Sequence, residues 1–168
     1  MEAMALRLAI ALWSICLVAP LVALSAGDRA DGILVNKARH EMLLLKNGKI
    51  LKTYQVALGK HPVGPKIQEG DMRTPEGIYR IDGRYAKSQF HMALHISYPN
   101  ASDRERAQAL GIKAGSDILI HGLPNGQGSV GKGHLQSDWT WGCIAVTDEE
   151  IEEIWKMVPT GTVVEIRP

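Results

Sequence analysis

The dipeptide Asn47-Gly48 restricts the fold of this chain more than any other feature, because it separates two short runs rich in apolar residues. Asn-Gly favours a two-residue type I′ turn, whose twist matches that of the strands it joins. The sequence therefore predicts a β-hairpin with strands at 41–45 and 49–58. Alternate residues from Tyr54 to Leu58 should share one buried face.

Further strands and two helices are predicted from apolar patterns and capping signals. Strand patterns occur at 32–36, 77–82, 92–97, 117–120 and 162–166. Two pairs match the capping box that begins a helix, Ser102 with Glu105 and Thr147 with Glu150. The second helix should span 148–157. Many strands, two short helices and no regular βαβ alternation predict a mixed, β-rich α+β fold, either a sandwich or a strongly bent sheet.

Size and charge narrow the classes of function. The chain has 168 residues, which is enough for one domain with a substantial core. Its 19 Lys and Arg nearly balance its 18 Asp and Glu, and no basic run stands out. A nucleic-acid partner normally requires a basic excess or stripe, so that partner is not expected.

The N-terminal segment differs in composition from the rest. Residues 8–24 carry no charge, Arg7 precedes them, and small residues at 23–26 suit cleavage. This pattern predicts a secretory signal peptide over 1–26 and an exported domain over 27–168, in the periplasm or cell envelope. The uncharged stretch is slightly short for a spanning helix. An uncleaved N-terminal membrane anchor remains the alternative.

Loss of residues 1–26 would remove Cys16 and leave Cys143 as the single cysteine. One cysteine cannot form an internal disulfide, and a free thiol is a liability in an oxidising compartment. Cys143 is therefore either a small buried apolar residue or a functional nucleophile.

His121 and Cys143 each lie where a predicted strand meets a loop, so rigid elements can direct both side chains into one site. An imidazole that takes the proton of a thiol produces a reactive thiolate. Gly142 leaves the backbone beside Cys143 uncrowded, and the amides there can form an oxyanion hole. Losing one such donor typically costs about 3–4 kcal/mol of transition-state stabilisation.

Histidines also raise the question of a metal. His91 and His95 are four residues apart in the alternating stretch 90–97 and so share a face, which makes a metal site with His121 an alternative. The spacing matches no known zinc pattern. We therefore predict no metal and no other cofactor.

Three segments together resemble a known enzyme family. Ile120-His121-Gly122 is followed by a glycine-rich loop and by Thr140-Trp141-Gly142-Cys143-Ile144-Ala145. With the Thr-Pro-Glu-Gly turn at 74–77 and the segment 97–100, these motifs resemble the YkuD-type L,D-transpeptidases, in particular the YafK-like subgroup. The resemblance covers roughly residues 32–167.

The resemblance implies a bent β-sandwich with two short helices. It also implies that Cys143 is the nucleophile, that His121 is its base, that Gly142 and the Cys143 amide form the oxyanion site, and that Thr140 shapes it. The expected partners are peptidoglycan stem peptides: a donor tetrapeptide acylates Cys143, and an amine accepts the acyl group. The alternatives are a hydrolase, acting as an L,D-carboxypeptidase or amidase, and a non-catalytic peptidoglycan-binding module.

The chain departs from the commonest family pattern at two positions. Trp141 stands where many members have His, and Ala145 where many have Arg. These departures leave the substrate, and transfer versus hydrolysis, open. Four residues are candidates for contact with the substrate, with loop anchoring or ordinary surface roles as their alternatives: Trp141, Trp139, His134 and Arg73.

Overall fold

The computed structural model describes residues 29–168, so the predicted signal peptide over 1–26 lies outside the described residues. In this part of the chain there are eight strands, β1 Gly32–Asn36, β2 Glu41–Lys46, β3 Lys49–Gln55, β4 Gly77–Ser88, β5 His91–Ile96, β6 Leu119–His121, β7 Ile144–Ala145 and β8 Val163–Arg167. There are also two α-helices, α1 Ala101–Ala109 and α2 Asp148–Met157, and a 3₁₀ segment, Gly128–Gln136, which lies between β6 and β7. None of the helices within 29–168 is long and apolar enough to cross a membrane.

The strands form one bent sheet in the order β3-β2-β1-β8-β4-β5-β6-β7. β4 makes the bend: residues 77–80 pair with β8, and residues 81–88 pair with β5. The register shifts between Ile81 and Gly83, and such a bulge increases the local twist. The predicted mixed, β-rich α+β fold is therefore confirmed. The strand predicted at 77–82 was too short, because the bulge lets it continue beyond the bend.

The two ends of the sheet meet beyond β3. Ala57 and Ala145 exchange backbone hydrogen bonds of 3.0 and 2.8 Å. The apolar core fills the space between the two halves of the sheet, and α2 contributes Ile151 and Ile154, both fully buried. This closure places β7, which follows directly after Cys143, between β6 and the segment after β3.

The predicted hairpin is confirmed. Asn47 and Gly48 both have positive φ, at 49° and 73°, as a type I′ turn requires. The return strand ends at Gln55 rather than at 58, because the segment after it leaves β2. Val56 and Leu58 are buried as expected, at 1% and 0% exposed, but Ala57 between them is also buried, so burial on alternate residues ends with β3.

The capping box predicted for α2 is confirmed. The Thr147 hydroxyl accepts from the Glu150 amide at 3.2 Å, and the Glu150 carboxylate accepts from the Thr147 amide at 3.0 Å. The helix spans Asp148–Met157, as predicted.

The cap predicted for the first helix was wrong by two residues. α1 begins at Ala101, and Asn100 caps it together with Asp103, so Ser102 lies inside the first turn. The reason is tertiary: the buried carboxylate of Asp103 also accepts from the Tyr79 hydroxyl at 3.1 Å and from Arg106 at 2.6 Å. These partners favour the box built on Asp103.

Candidate active site

His121 and Cys143 are brought together by two neighbouring parallel strands. Ile120 pairs with Ile144, and His121 pairs with Ala145. Ile120 and Ile144 are both fully buried in the core, so the residues flanking them in sequence point to the opposite face. Cys143 directly precedes β7 and therefore lies diagonally across from His121 on that face.

The imidazole of His121 is oriented by a main-chain carbonyl. Its Nδ1 lies 2.7 Å from the carbonyl oxygen of Gly122, which can only accept, so Nδ1 carries the proton and Nε2 is the basic nitrogen. The ring stacks on Phe90 and meets the edge of Trp139, with centroids 4.3 and 5.7 Å away. Burial lowers the pKa of His121 to about 4, against the Gly122 hydrogen bond, which raises it.

The Cys143 side chain is half-buried, and its thiol donates to the carbonyl of Asp117 over 3.6 Å. Burial raises the pKa of the thiol to about 11, although a hydrogen bond from the Leu119 amide opposes this effect. The resting pair is therefore a neutral thiol beside a neutral imidazole. His121 can act as a general base only while the sulfur attacks.

Thr140 closes the turn that carries Cys143. Its hydroxyl accepts from the Gly142 amide at 3.1 Å and donates to the Cys143 carbonyl at 2.7 Å. The Gly142 amide is therefore occupied. The Cys143 amide has no hydrogen bond within residues 29–168, so it can donate to an oxyanion.

The turn at Gly142 needs a residue that has no side chain. Its φ is +123°, and a Cβ on it would lie 2.6 Å from the main-chain oxygen of Arg73. Arg73 thus contacts the turn that carries Cys143 through its backbone, whereas its guanidinium lies against Gly64. The next residue, Thr74, is fully buried and accepts from the Gly59 amide at 3.0 Å. The Thr-Pro turn therefore packs behind the turn that carries Cys143.

Two buried lysines hold the loop that contains Arg73 and Thr74 in place. Lys66 is 3% exposed, and its ammonium group binds the Asp71 carboxylate at 2.7 Å. The positive charge of Lys66 lowers the pKa of the Cys143 thiol and so partly offsets the rise that burial causes. Lys37, also 3% exposed, donates to the carbonyl of Thr74 at 3.1 Å. The sequence offers no sign of either burial.

The two candidate tryptophans differ in environment. Trp141 is 67% exposed, whereas Trp139 is half-buried between His121 and His134. The Trp139 indole donates to Nδ1 of His134 at 3.4 Å. His134 is only 8% exposed, so its interpretation as a solvated loop histidine was wrong.

The carboxylate of Asp138 binds the imidazole of His40, not that of His121, and it also binds a main-chain amide. One carboxylate oxygen lies 2.9 Å from Nε2 of His40, and the other accepts from the Leu58 amide at 2.7 Å. Asp138 therefore anchors the loop before Trp139 to His40, which precedes β2, and to Leu58, which follows β3.

The histidines considered for a metal are engaged separately. His91 pairs with Glu152 at 2.8 Å, and His95 pairs with Asp82 at 2.5 Å. Within residues 29–168, no three His, Cys, Asp or Glu side chains are grouped so as to hold a metal ion. The absence of a metal or other cofactor stays a prediction.

Comparison with known proteins agrees with the resemblance drawn from the motifs. The model of the L,D-transpeptidase catalytic domain family, YkuD, matches residues 30–166. YafK of Escherichia coli K12 is 30% identical over 118 residues, which cover 69% of this chain and 40% of YafK. YqjB of Bacillus subtilis 168 is 28% identical over 133 residues, which cover 77% of this chain and 67% of YqjB. Both are named as L,D-transpeptidases only provisionally.

Solved structures share the fold. The helical cell shape determining protein Pgp2 of Campylobacter jejuni superposes with a TM-score of 0.59 and 24% identity, over 80% of this chain and 46% of Pgp2. Bd1075 of Bdellovibrio bacteriovorus gives a TM-score of 0.58 and 25% identity, over 83% of this chain and 48% of Bd1075. The chain spans less than half the length of YafK, Pgp2 and Bd1075.

Proposed function

The chain belongs to the L,D-transpeptidase catalytic domain family, YkuD, and from this premise we propose that it is a cysteine acyltransferase acting on peptidoglycan stem peptides. The observation that carries the proposal is the placement of Cys143, directly before β7, diagonally across from His121 on the neighbouring strand β6, with Nδ1 of His121 bound to Gly122 and Nε2 left as the base. A purely structural cysteine and histidine would need neither arrangement.

In the first half of the reaction, Sγ of Cys143 adds to the donor carbonyl carbon while Nε2 of His121 takes the thiol proton. The carbonyl oxygen becomes an oxyanion, to which the Cys143 amide donates. Phe90 presents its ring face to the imidazolium that forms, and a cation over an aromatic face is stabilised. The carbon–nitrogen bond then breaks. The leaving amine, the terminal D-alanine of a stem tetrapeptide, takes the proton from His121, and a thioester remains on Cys143.

In the second half, an acceptor amine attacks the thioester carbon and gives a proton to Nε2 of His121. A new carbon–nitrogen bond forms, the carbon–sulfur bond breaks, and the departing sulfur takes the proton back. Water in place of the amine would give hydrolysis through the same steps. Only the group that reaches the thioester separates a transpeptidase from a carboxypeptidase or amidase.

The proposal extends to location. The uncharged stretch at 8–24, with small residues after it, supports export to the periplasm or cell envelope, where peptidoglycan lies. Terminal sequencing of the mature protein should find a start near Ala26 or Gly27. A soluble cytoplasmic form that begins at Met1 would contradict export, and a membrane-bound form that retains residues 1–26 would indicate an anchor.

The test is intact-protein mass spectrometry after incubation with a tetrapeptide-bearing wall fragment. We expect an adduct equal to the donor acyl group without its terminal D-alanine, located on Cys143. Cys143→Ala, the matched control, should bind the fragment without an adduct. Cross-linked products on adding an amine indicate transfer, and shortened stems alone indicate hydrolysis. Binding of wild-type protein without adduct or turnover would overturn the proposal in favour of a binding module.

A further inference from the structure

A cavity of about 330 Å³ adjoins the proposed base on the far side of Trp139. Its volume falls at the lower end of small-ligand sites, which are roughly 300–1,000 Å³. Leu123 and Val130 give it apolar surface, and Gln127 and Gln136 give it neutral amides. Of the side chains from the described part of the chain that line it, none is an Asp, Glu, Lys or Arg. The lining therefore suits a neutral ligand that carries both apolar and amide groups.

His134 also lines this cavity and has one hydrogen-bonding atom left over. An indole N–H can only donate, so the bond from Trp139 leaves Nδ1 of His134 without a proton and puts the proton of the neutral ring on Nε2. Burial lowers the pKa of His134, which favours that neutral ring, although the charge of Glu150 opposes the effect. Nε2 is buried and has no hydrogen-bond partner within residues 29–168.

A buried donor without a partner destabilises the folded protein, because it has lost its hydrogen bond to water. A carbonyl oxygen of a ligand in the cavity is the partner that Nε2 lacks. The ring belongs to the 3₁₀ segment Gly128–Gln136, in which Gly131 interrupts the helical conformation with a φ of 48°. For a ligand in the cavity to reach Nε2, this glycine-containing segment must shift so that the ring edge meets the cavity surface.

The position of the cavity relative to the base indicates which part of the reaction it serves. The incoming amine must hand its proton to His121, so the body of the acceptor lies on the His121 side of the thioester. Trp139 contacts His121 and His134 with ring centroids 5.7 and 6.4 Å away. The cavity therefore begins one aromatic ring away from the base.

We propose that this cavity binds the acyl acceptor, and that His134 selects acceptors whose amine is carried on a neutral, amide-containing chain by donating from Nε2 to one of its carbonyls. The inference rests on the proposed function. It adds no chemical step: the acceptor nitrogen bonds to the thioester carbon, its proton passes to His121, and the carbon–sulfur bond to Cys143 breaks.

The experiment measures how the acyl-enzyme partitions between transfer and hydrolysis with two amines. Glycylglycinamide carries neutral amides, and n-butylamine carries no carbonyl. We expect wild-type protein to use glycylglycinamide with the lower KM. His134→Phe should raise that KM roughly 3- to 10-fold, the value of one hydrogen bond, and should leave the KM for n-butylamine within twofold. Since Phe keeps the ring but not the donor, a loss of general packing would instead affect both amines.

Val130→Trp provides a second variant that is independent of the histidine. Val130 is 49% exposed, so a larger side chain should fill the cavity without disturbing the core. It should lower transfer to glycylglycinamide at least fivefold and leave the rate of donor acylation within twofold. Ile78→Trp, at a position that is 65% exposed on β4, is the matched control and should change neither rate.

Two outcomes would overturn the inference, and they are distinguishable. If acylation of Cys143 proceeds and both His134→Phe and Val130→Trp keep the wild-type KM for glycylglycinamide, the cavity is not the acceptor site and the proposed function stands. If wild-type protein forms no acyl-enzyme, the proposed function fails and this inference fails with it.

Discussion

The imidazole of His121 lies against the ring of Phe90, with centroids 4.3 Å apart and planes inclined at 30°. Phe90 is the only phenylalanine in the chain. Together with Trp139 it covers the imidazole, and this burial keeps the ring neutral at physiological pH. The site therefore holds a neutral acid and a neutral base, rather than a preformed thiolate–imidazolium pair, and this difference leads to measurable behaviour.

Alkylation of Cys143 should be slow at neutral pH. Its thiol pKa is raised to about 11 by burial, so its thiolate fraction at pH 7 should be about two orders of magnitude below that of an ordinary cysteine. The rate with iodoacetamide should rise about tenfold per pH unit up to pH 10. Mass spectrometry of the labelled protein provides the measurement. Thiolate absorbance that titrates near pH 6 would instead indicate a preformed ion pair.

Acylation of Cys143 by a donor peptide should be nearly independent of pH between about 5 and 10. Below this range, protonation of His121, with its pKa of about 4, removes the base. His121→Gln should lower the acylation rate by roughly 10²–10⁴ and abolish the acid limb of the profile. Stopped-flow release of D-alanine would measure both. An acid limb that persists in His121→Gln would assign it to another group.

The folded protein should lose stability in mild acid because of His121. Its pKa is about 4 when folded and about 6.5 when unfolded, so between these values only the unfolded chain binds the proton. This effect costs the folded protein nothing above pH 6.5. As the pH falls towards 4, it lowers the free energy of unfolding by about 3 kcal/mol. Urea unfolding at pH 7 and pH 4 should show this extra loss in wild-type protein and not in His121→Gln. Equal losses in both proteins would contradict it.

Thr140 should matter through its hydroxyl alone. Thr140→Val keeps the shape but removes the bonds to the Gly142 amide and the Cys143 carbonyl. We expect a loss of about 1–3 kcal/mol in unfolding free energy, because a buried N–H is left unpaired. Acylation should fall at least tenfold. Thr140→Ser retains the hydroxyl and should keep most of the rate; if serine and valine behave alike, the hydrogen bonds do not hold the turn.

Gly142 should tolerate no side chain. In Gly142→Ala the Cβ would meet the Arg73 oxygen at 2.6 Å, so the turn must shift and acylation should be lost. Gly126→Ala is the matched control, since Gly126 also has positive φ but nothing within 4 Å of its Cβ. It should cost only the backbone strain, about 1–2 kcal/mol, and leave the rate unchanged. Wild-type acylation in Gly142→Ala would show that the turn is adaptable.

Local signals were sufficient where chain neighbours decide the structure. Asn47-Gly48 specifies its own turn, and the Thr147–Glu150 box is satisfied entirely within α2. The cap of α1 could not be chosen locally, because two overlapping boxes fit the sequence and the buried partners of Asp103 favour one of them. The 3₁₀ segment Gly128–Gln136 was also missed, since its glycines give no helical signal.

In the candidate site, too, some residues could be predicted from local motifs and others could not. His121 and Cys143 could be proposed from their motifs, although their roles stay predictions. Phe90 and Lys66 could not, because each reaches the site from a segment distant in sequence. The 97–100 and 74–77 motifs gave no hint that the Arg73 carbonyl would limit the size of residue 142. Such contacts depend on how the loops pack, which no local pattern encodes.

The bridge between Ala57 and Ala145 has a consequence for how the site assembles. It joins segments separated by most of the described sequence, so the chain entropy of that large loop must be overcome before the bridge forms. β7 has only two residues and obtains its second neighbour through this bridge. We therefore expect the nucleophile strand to order late in folding. In native-state hydrogen exchange, the Ala145 amide should open together with that of Ala57, as one cooperative unit that spans both ends of the sheet.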